Sequence, residues 1–521
     1  TLTIEGFVVV EIGNAGDTEV TTPFVIRIWE DTDGDGELDA SDPILDSTTI
    51  PAGVPAGGVL VRSLFVEPAT TAFFHPLLWI VADAEDAIVE RREDDNQVPV
   101  FGDCLAPAPE PSFEPIEEWW LRDVDVETAP VVVQLSDDNG DGSIDSRDVP
   151  DVVFAAEEAQ GRTVIAASGL DGSRLWTFRS SAEHPLPLPL NHVAAADLDG
   201  DGVAEVLAAR RDGRLVCLDH QGNPRWVSDA FEGVGERTAG GIAVGDLDGD
   251  GVPEIVVGRA VLSNEGTFIA QGTKNRGRNE NFYGPLGTRL VPGATDYPHS
   301  ILADVDLDGR QEIVAGDAVY RLVDGALEVV WDRVAPDRLM DDGFSAVGNF
   351  DADPEAEIVY VSSNQVMILN HDGSVFASSR LIVPFSALER ATFWGGAPTV
   401  ADLTGDGVPE IVVAGDTQVV AFRSSLSVLW RRSIDDQAAI TSTSAFDFDG
   451  DGFREVVYLD NRTFYVLDGR TGAVLHSRPN LSKTASEYPV VADVDGDGRA
   501  EILVPSNASF SGDTSTRGLH V

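Results

Sequence analysis

Short apolar runs bounded by acidic, glycine-rich turns recur along most of the chain, and HVAAADLDGDGVAEVLAAR at residues 192–210 is the clearest instance. Between its two apolar runs, Asp197, Asp199 and Asp201 stand at alternate positions, Gly202 follows, and Glu205 takes the ninth place. A hard divalent cation needs six or seven oxygens at about 2.3 to 2.6 Å, which alternate carboxylates, one main-chain carbonyl and a later carboxylate can supply. The glycine permits the sharp turn that gathers them. The stretch therefore reads as a calcium loop between two strands.

Loops of this kind begin at Asp137, Asp197, Asp246, Asp304, Asn349, Asp402, Asp447 and Asp493, spaced 45 to 60 residues apart. Each unit runs through an apolar strand such as IAVGD, the loop, a second strand such as PEIVVG and a third such as TFYVLD. A fourth often carries tryptophan, as in RLWTFRS, NPRWVSD, VVWDRV and VLWRRS. Four strands per roughly 50-residue period predict β-propeller blades, with a linear solenoid as the rival. The last unit, YPVVADVDGDGRAEILVPSNASF followed by RGLHV, supplies only three strands. Residues 116–122, IEEWWLR, carry the tryptophan pattern upstream of the first loop, so they can complete the eighth blade and remove an open edge.

Residues 1–103 alternate differently. TLTIEGFVVVEI, PFVIRIWE, VLVRSLFV and LLWIVAD, separated by NAGD and PAGVPAGG turns, predict a small antiparallel sandwich with six plausible strands. Between the second and third lies DTDGDGELDASD, where Asp31, Asp33, Asp35, the carbonyl of Glu37, Asp39 and Asp42 follow the twelve-residue EF-hand spacing. Residues 104–115, CLAPAPEPSFEP, form a stiff proline-rich linker, and residues 116–521 the repeat array. The expected fold class is all-β, an N-terminal Ig-like β-sandwich followed by an eight-bladed calcium-binding β-propeller.

The formal charge of −54 argues against nucleic-acid backbones and anionic membrane surfaces, since both need clustered cations. Much of the acidity belongs to the loops; salt adaptation is the weaker explanation of a chain whose lysines are Lys274 and Lys483 alone. Cys104 and Cys217 are too few for a disulfide scaffold and lack metal-ligand spacing. No run of 18 apolar residues predicts a membrane span. A chain opening at Thr1 without methionine or a secretory apolar region fits a processed or trimmed product. Loops of this kind stay filled where calcium is millimolar, which points outside the cytosol.

The loops, DLDGDGVPEIVVG above all, resemble the FG-GAP or VCBS repeats of integrin-alpha-like propellers over about 390 residues. The resemblance implies calcium held by Asp197, Asp199, Asp201, the Val203 carbonyl and Glu205; by Asp246, Asp248, Asp250, Val252 and Glu254; and by Asp304, Asp306, Asp308, Arg310 and Glu312. In later blades it implies Asp402, Thr404, Asp406, Val408 and Glu410; Asp447, Asp449, Asp451, Phe453 and Glu455; and Asp493, Asp495, Asp497, Arg499 and Glu501. The first loop keeps the longer spacing, with Asp137, Asn139, Asp141, Ser143, Asp145 and Asp148. The Asp402 loop lacks one carboxylate. The Asn349 loop lacks the first and has Pro354 at the glycine position, so it is expected to be weakest or empty. The NAGD turn, the EF-hand-type loop and the closing VERREDDNQV resemble the bacterial cell-adhesion-related Ig-like domain CARDB.

Most of this calcium is expected to be structural, each ion clamping the first strand to the second by relieving carboxylate repulsion. The opposite face is the expected binding surface. There the long connection 272–298 holds Lys274, Arg276, Arg278, Phe282 and Tyr283, cations and rings suited to acidic sugars or a carboxylate-bearing partner. Trp394 sits with His192, His299 and Tyr488 just before first strands, near the expected channel mouth. For these a structural role is the blander reading. No nucleophile elbow, HExxH, phosphate loop or separated acid and base pair stands out. The reading is a secreted or cell-surface protein of adhesion or recognition, binding glycans or proteins. Two alternatives stand beside it: a subunit of an extracellular fibre or surface layer, assembling through an open sandwich edge before Leu2, and a calcium-dependent polysaccharide lyase of the rhamnogalacturonan type.

Overall fold

The structure is a computed structural model that describes residues 3–14, 18, 20–31, 43–52, 54–56, 59–70, 77–83, 87–88, 97–99, 115–187, 192–232, 241–272, 299–316, 318–332, 343–351, 353–362, 365–380, 395–415, 417–436, 441–484, 487–507 and 513–521. They are all-β, in many small antiparallel sheets, and none forms an α-helix. No helix among them is long and apolar enough to cross a membrane. The chain divides into two compact units, Thr1–Glu110 and Pro111–Val521.

Among the described residues the first unit holds two sheets. Thr3–Gly13 pairs with Val59–Thr70, and Ile44–Ile50, Phe24–Asp31, Leu77–Val81 and Gln97–Pro99 form the other in that order. Alternation places Phe24, Ile26 and Ile28 on one face, where they form a core with Ile50, Val54 and Ile80 and pack on Leu60 of the neighbouring sheet. Asn14 donates its side-chain amide to the carbonyls of Thr18, Val54 and Pro55 at 2.8 to 3.1 Å.

The second unit repeats one design. Val193–Ala196, Glu205–Arg210, Arg214–Leu218 and Pro224–Val227 pair in sequence order, and residues 242–271, 301–332, 344–380, 399–433 and 444–479 build five further sheets alike. In the sheet before them, Asp125–Val126 and Val131–Val133 lie end to end along one edge of Asp151–Glu158. In the last, Val490–Ala492, Glu501–Ser506 and Gly518–His520 are completed by Trp120–Arg122, brought from the start of the unit.

Both faces of these sheets are covered, which is why their second and third strands are mostly apolar. Val206 and Ala208 pack toward the preceding sheet, whereas Leu207 and Ala209 pack toward the following one. The pattern continues from sheet to sheet as far as Val457 and Val504. Val152, Phe154 and Ala156 of the first sheet then share a core with Trp119, Leu503 and Leu519 of the last. The short first strands also touch one another in sequence order.

Tryptophan explains part of the seam between sheets. The Trp176 indole of one fourth strand donates to the His220 carbonyl in the next sheet's outer turn at 2.9 Å. Trp331 does so to His371, and Trp430 to Gly469. Each ring lies against a glycine with positive φ in that turn: a Cβ added to Gly222, Gly373 or Gly472 would meet it at 2.6 to 2.7 Å. Trp119 makes the same contact between last sheet and first, donating to Gly169 at 2.6 Å with its ring against Gly172. Beside it Trp120 stacks on His520, and Glu117 accepts from His520 Nδ1 and Arg478.

Candidate metal centres

The loops are folded by their own carboxylates. In the Asp246 loop, Asp246 Oδ1 accepts from the amides of Gly249 and Asp250, and Oδ2 from Gly251; Asp248 accepts from Asp250, and Asp250 from Val252. Gly249 and Gly251 carry φ of 79° and 85°, a conformation that disfavours side chains. Glu254 opens the second strand, buried, and its Oε2 accepts from the Leu247 amide at 2.9 Å. The same bond fixes Glu205, Glu312, Glu357, Glu410, Glu455 and Glu501 to the second residue of their loops.

This leaves several carboxylate oxygens facing one point. Ligand atoms of Asp197, Asp199 and Glu205 lie within 4.8 Å of one another, as do those of Asp246, Asp248 and Asp250, of Asp304, Asp306 and Asp308, and of Asp447, Asp449 and Glu455. An all-carboxylate set without imidazole or thiolate suits a hard cation. Burial raises Glu254, Glu455 and Glu501 to about 7, and neighbouring aspartates of each loop add to it. A divalent ion would reverse that balance and hold these groups ionised.

The divergent loops differ in distinct ways. Asn349 donates its amide to the Asp353 carbonyl, yet Asp351, Asp353 and Glu357 still converge within 4.8 Å. Thr404 donates to Glu410 Oε1 at 3.3 Å, taking the glutamate oxygen that the Leu403 amide leaves over. In the first loop, Asp137 accepts from Asp141 and Gly142, and Asp148 from Asn139 and Asp145, while Arg147 pairs with Asp141 and Asp145. Sequence spacing did not single out Asp151. It opens the second strand of its sheet where Glu205 opens another, and its Oδ2 accepts from Leu135 and Ser136. The legible signal is an acidic residue heading the apolar run DVVFAA, three residues beyond a longer loop.

Arginine is the other component missed. Arg225 of a fourth strand reaches Asp199 Oδ2 at 2.7 Å and also Glu205 Oε1. Arg321 of a third strand reaches Asp306 at 2.7 Å, Asp308 at 3.2 Å and Glu312 at 2.6 Å.

Of the other predicted positions, Asp33, Asp35, Glu37, Asp39 and Asp42, the group Lys274, Arg276, Arg278, Phe282 and Tyr283, and Trp394 lie outside the described residues. His192 and His299 meet edge to face with ring centroids 4.6 Å apart, and burial holds His192 down at about 4 and His299 well below its usual value. Two neutral rings meeting edge to face beside Phe344 are a packing arrangement.

Comparison with known proteins agrees with this construction. The FG-GAP-like repeat matches residues 197–257 and 447–504, each spanning two successive acidic loops and the strands between them. Among solved structures the chain is similar to the V. cholerae biofilm matrix protein Bap1, with a TM-score of 0.61 and 23% identity over 78% of this chain and 90% of that one, a likeness of fold. A quinohemoprotein alcohol dehydrogenase of Pseudomonas putida HK5 (TM-score 0.47, 13% identity, 76% of this chain and 72% of that one) is too distant to bear on the site. So is the Bacillus licheniformis rhamnogalacturonan lyase PL11 (0.38, 16%, 99% and 89%). No curated protein matches the chain.

Proposed function

We propose that residues 116–521 form an eight-bladed β-propeller of the FG-GAP type whose hairpin loops bind calcium, and that the protein works outside the cell in adhesion or recognition of glycans or proteins. The observation that carries this reading is the convergence of carboxylate oxygens at the equivalent hairpin of successive sheets. The core shared by last and first sheets, with Trp119 on Gly172, supports closure, and the fold-level likeness to a biofilm matrix protein supports the setting. Residues 1–103 fit an Ig-like, CARDB-like module. Calcium keeps each first strand clamped to its second and leaves the opposite face, with its longer connections, for the ligand.

The test is retention of the protein on immobilised acidic polysaccharides and on biofilm matrix extracts, in calcium and in EGTA. Calcium-dependent retention that is lost when Lys274, Arg276 and Arg278 are replaced together by Gln is the expected result. A protein that takes up calcium yet binds none of these surfaces would contradict the recognition role.

A further inference from the structure

Two of the converging carboxylate sets already contain a cation supplied by the chain. Arg225 places its two terminal nitrogens on Asp199 and Glu205, and Arg321 spreads over Asp306, Asp308 and Glu312. In both loops the arginine takes the Glu oxygen left over from the amide bond of the second loop residue. The two arginines come from different strands, so the contact is not a by-product of one conserved geometry. Arg321 is one-quarter exposed along its side chain, and Glu312 beneath it is fully buried. Arg147, by contrast, is 65% exposed and touches only loop aspartates, and Arg470 stands 3.8 Å from Asp451. In the Asp246 loop no guanidinium contacts the carboxylates among the described residues. Strand register puts Ile269 where Arg225 stands in the sheet before.

We propose that Arg225 and Arg321 are resident counter-ions that lower the calcium affinity of the Asp197 and Asp304 loops and hold those hairpins closed when calcium is scarce. The acidic loops then fall into guarded and unguarded classes, and the ring loads its ions in stages. The physical basis is direct. A guanidinium within hydrogen-bond distance of two would-be ligands both occupies their oxygens and repels a divalent ion a few ångströms away. The same contact compensates the buried carboxylate without metal, which the Asp246 loop cannot do. This rests on the calcium reading above and adds an order of occupancy to it.

Bound calcium is counted by native mass spectrometry of the full chain across a series of buffered free-calcium concentrations, with melting followed in EGTA and in saturating calcium. Arg225→Gln and Arg321→Gln each add one ion to the count at limiting calcium, a gain in affinity of at least about tenfold at the freed loop. Each also lowers the melting temperature in EGTA more than in calcium. Ile269→Arg does the converse, removing one tightly held ion without touching a carboxylate. Unchanged counts in all three variants, or fewer ions in the Gln variants, overturn the proposal while calcium binding itself stands. A wild-type chain that takes up no calcium at millimolar concentration overturns both.

Discussion

Gly172 offers a quantitative test of how the seams between sheets are built. It has φ of 69°, and a Cβ there would lie 2.5 Å from Cε3 of Trp119, a contact no ordinary packing tolerates. Gly172→Ala therefore carries two penalties: about 1 to 2 kcal/mol for a left-handed alanine and about 1 to 3 kcal/mol for overpacking against a buried indole. Gly325→Ala is the control, since Gly325 has φ of 76° in a hairpin with nothing within 4 Å of its Cβ position, so only the first penalty applies. Denaturant unfolding in saturating calcium should show Gly172→Ala as the more costly by about 1 to 3 kcal/mol. Gly222→Ala and Gly472→Ala, which meet Trp176 and Trp430, should match it. Trp119→Ala costs about 3 to 5 kcal/mol by itself, and adding Gly172→Ala to it should cost only the backbone share. Equal effects of Gly172→Ala and Gly325→Ala, with a larger one for Gly222→Ala, would refute the claim that last and first sheets meet as the others do.

Other expectations follow from single side chains. Leu307, exposed, takes a positive φ of 56° where other loops place glycine, so Leu307→Gly should raise stability by up to about 1 kcal/mol, read as a higher melting temperature. Glu127 is raised by burial to about 7 despite Lys483 at 3.4 Å. A raised carboxyl contributes stability below its unfolded value near 4.5 that is lost as pH rises through 7, so stability measured from pH 5 to 8 should fall less steeply in Glu127→Gln. Burial pushes the Cys217 thiol up to about 12, so Cys217 should resist thiol reagents until the chain unfolds, with mass mapping separating it from Cys104.

Much of this architecture is legible in the residues because its signals are local. The period of apolar runs and the one-three-five-nine spacing of acids both lie within a dozen residues, and the strands and hairpins fall where those patterns place them. Trp119 and Trp120 were recognisable as a displaced fourth strand because the last unit is one strand short. What escaped depends on pairing across strands. Gly172 and Gly222 matter through an indole in a neighbouring sheet, and Arg225 and Arg321 through ligand glutamates 20 and 9 residues away in sequence that they reach only after the strands fold back. Asp151 was hidden by a longer loop that shifts it off the ninth place, and only strand register restores the equivalence.

The central claim is that equivalent hairpins around the unit each hold calcium, and anomalous scattering from crystals grown with calcium tests it most directly. The account predicts peaks beside the Asp246, Asp447 and Asp493 loops first, with the Asp197 and Asp304 loops filling at higher calcium and the Asn349 loop weakest. Strong peaks elsewhere, or none within bonding distance of Glu254, Glu455 and Glu501 in saturating calcium, would contradict it.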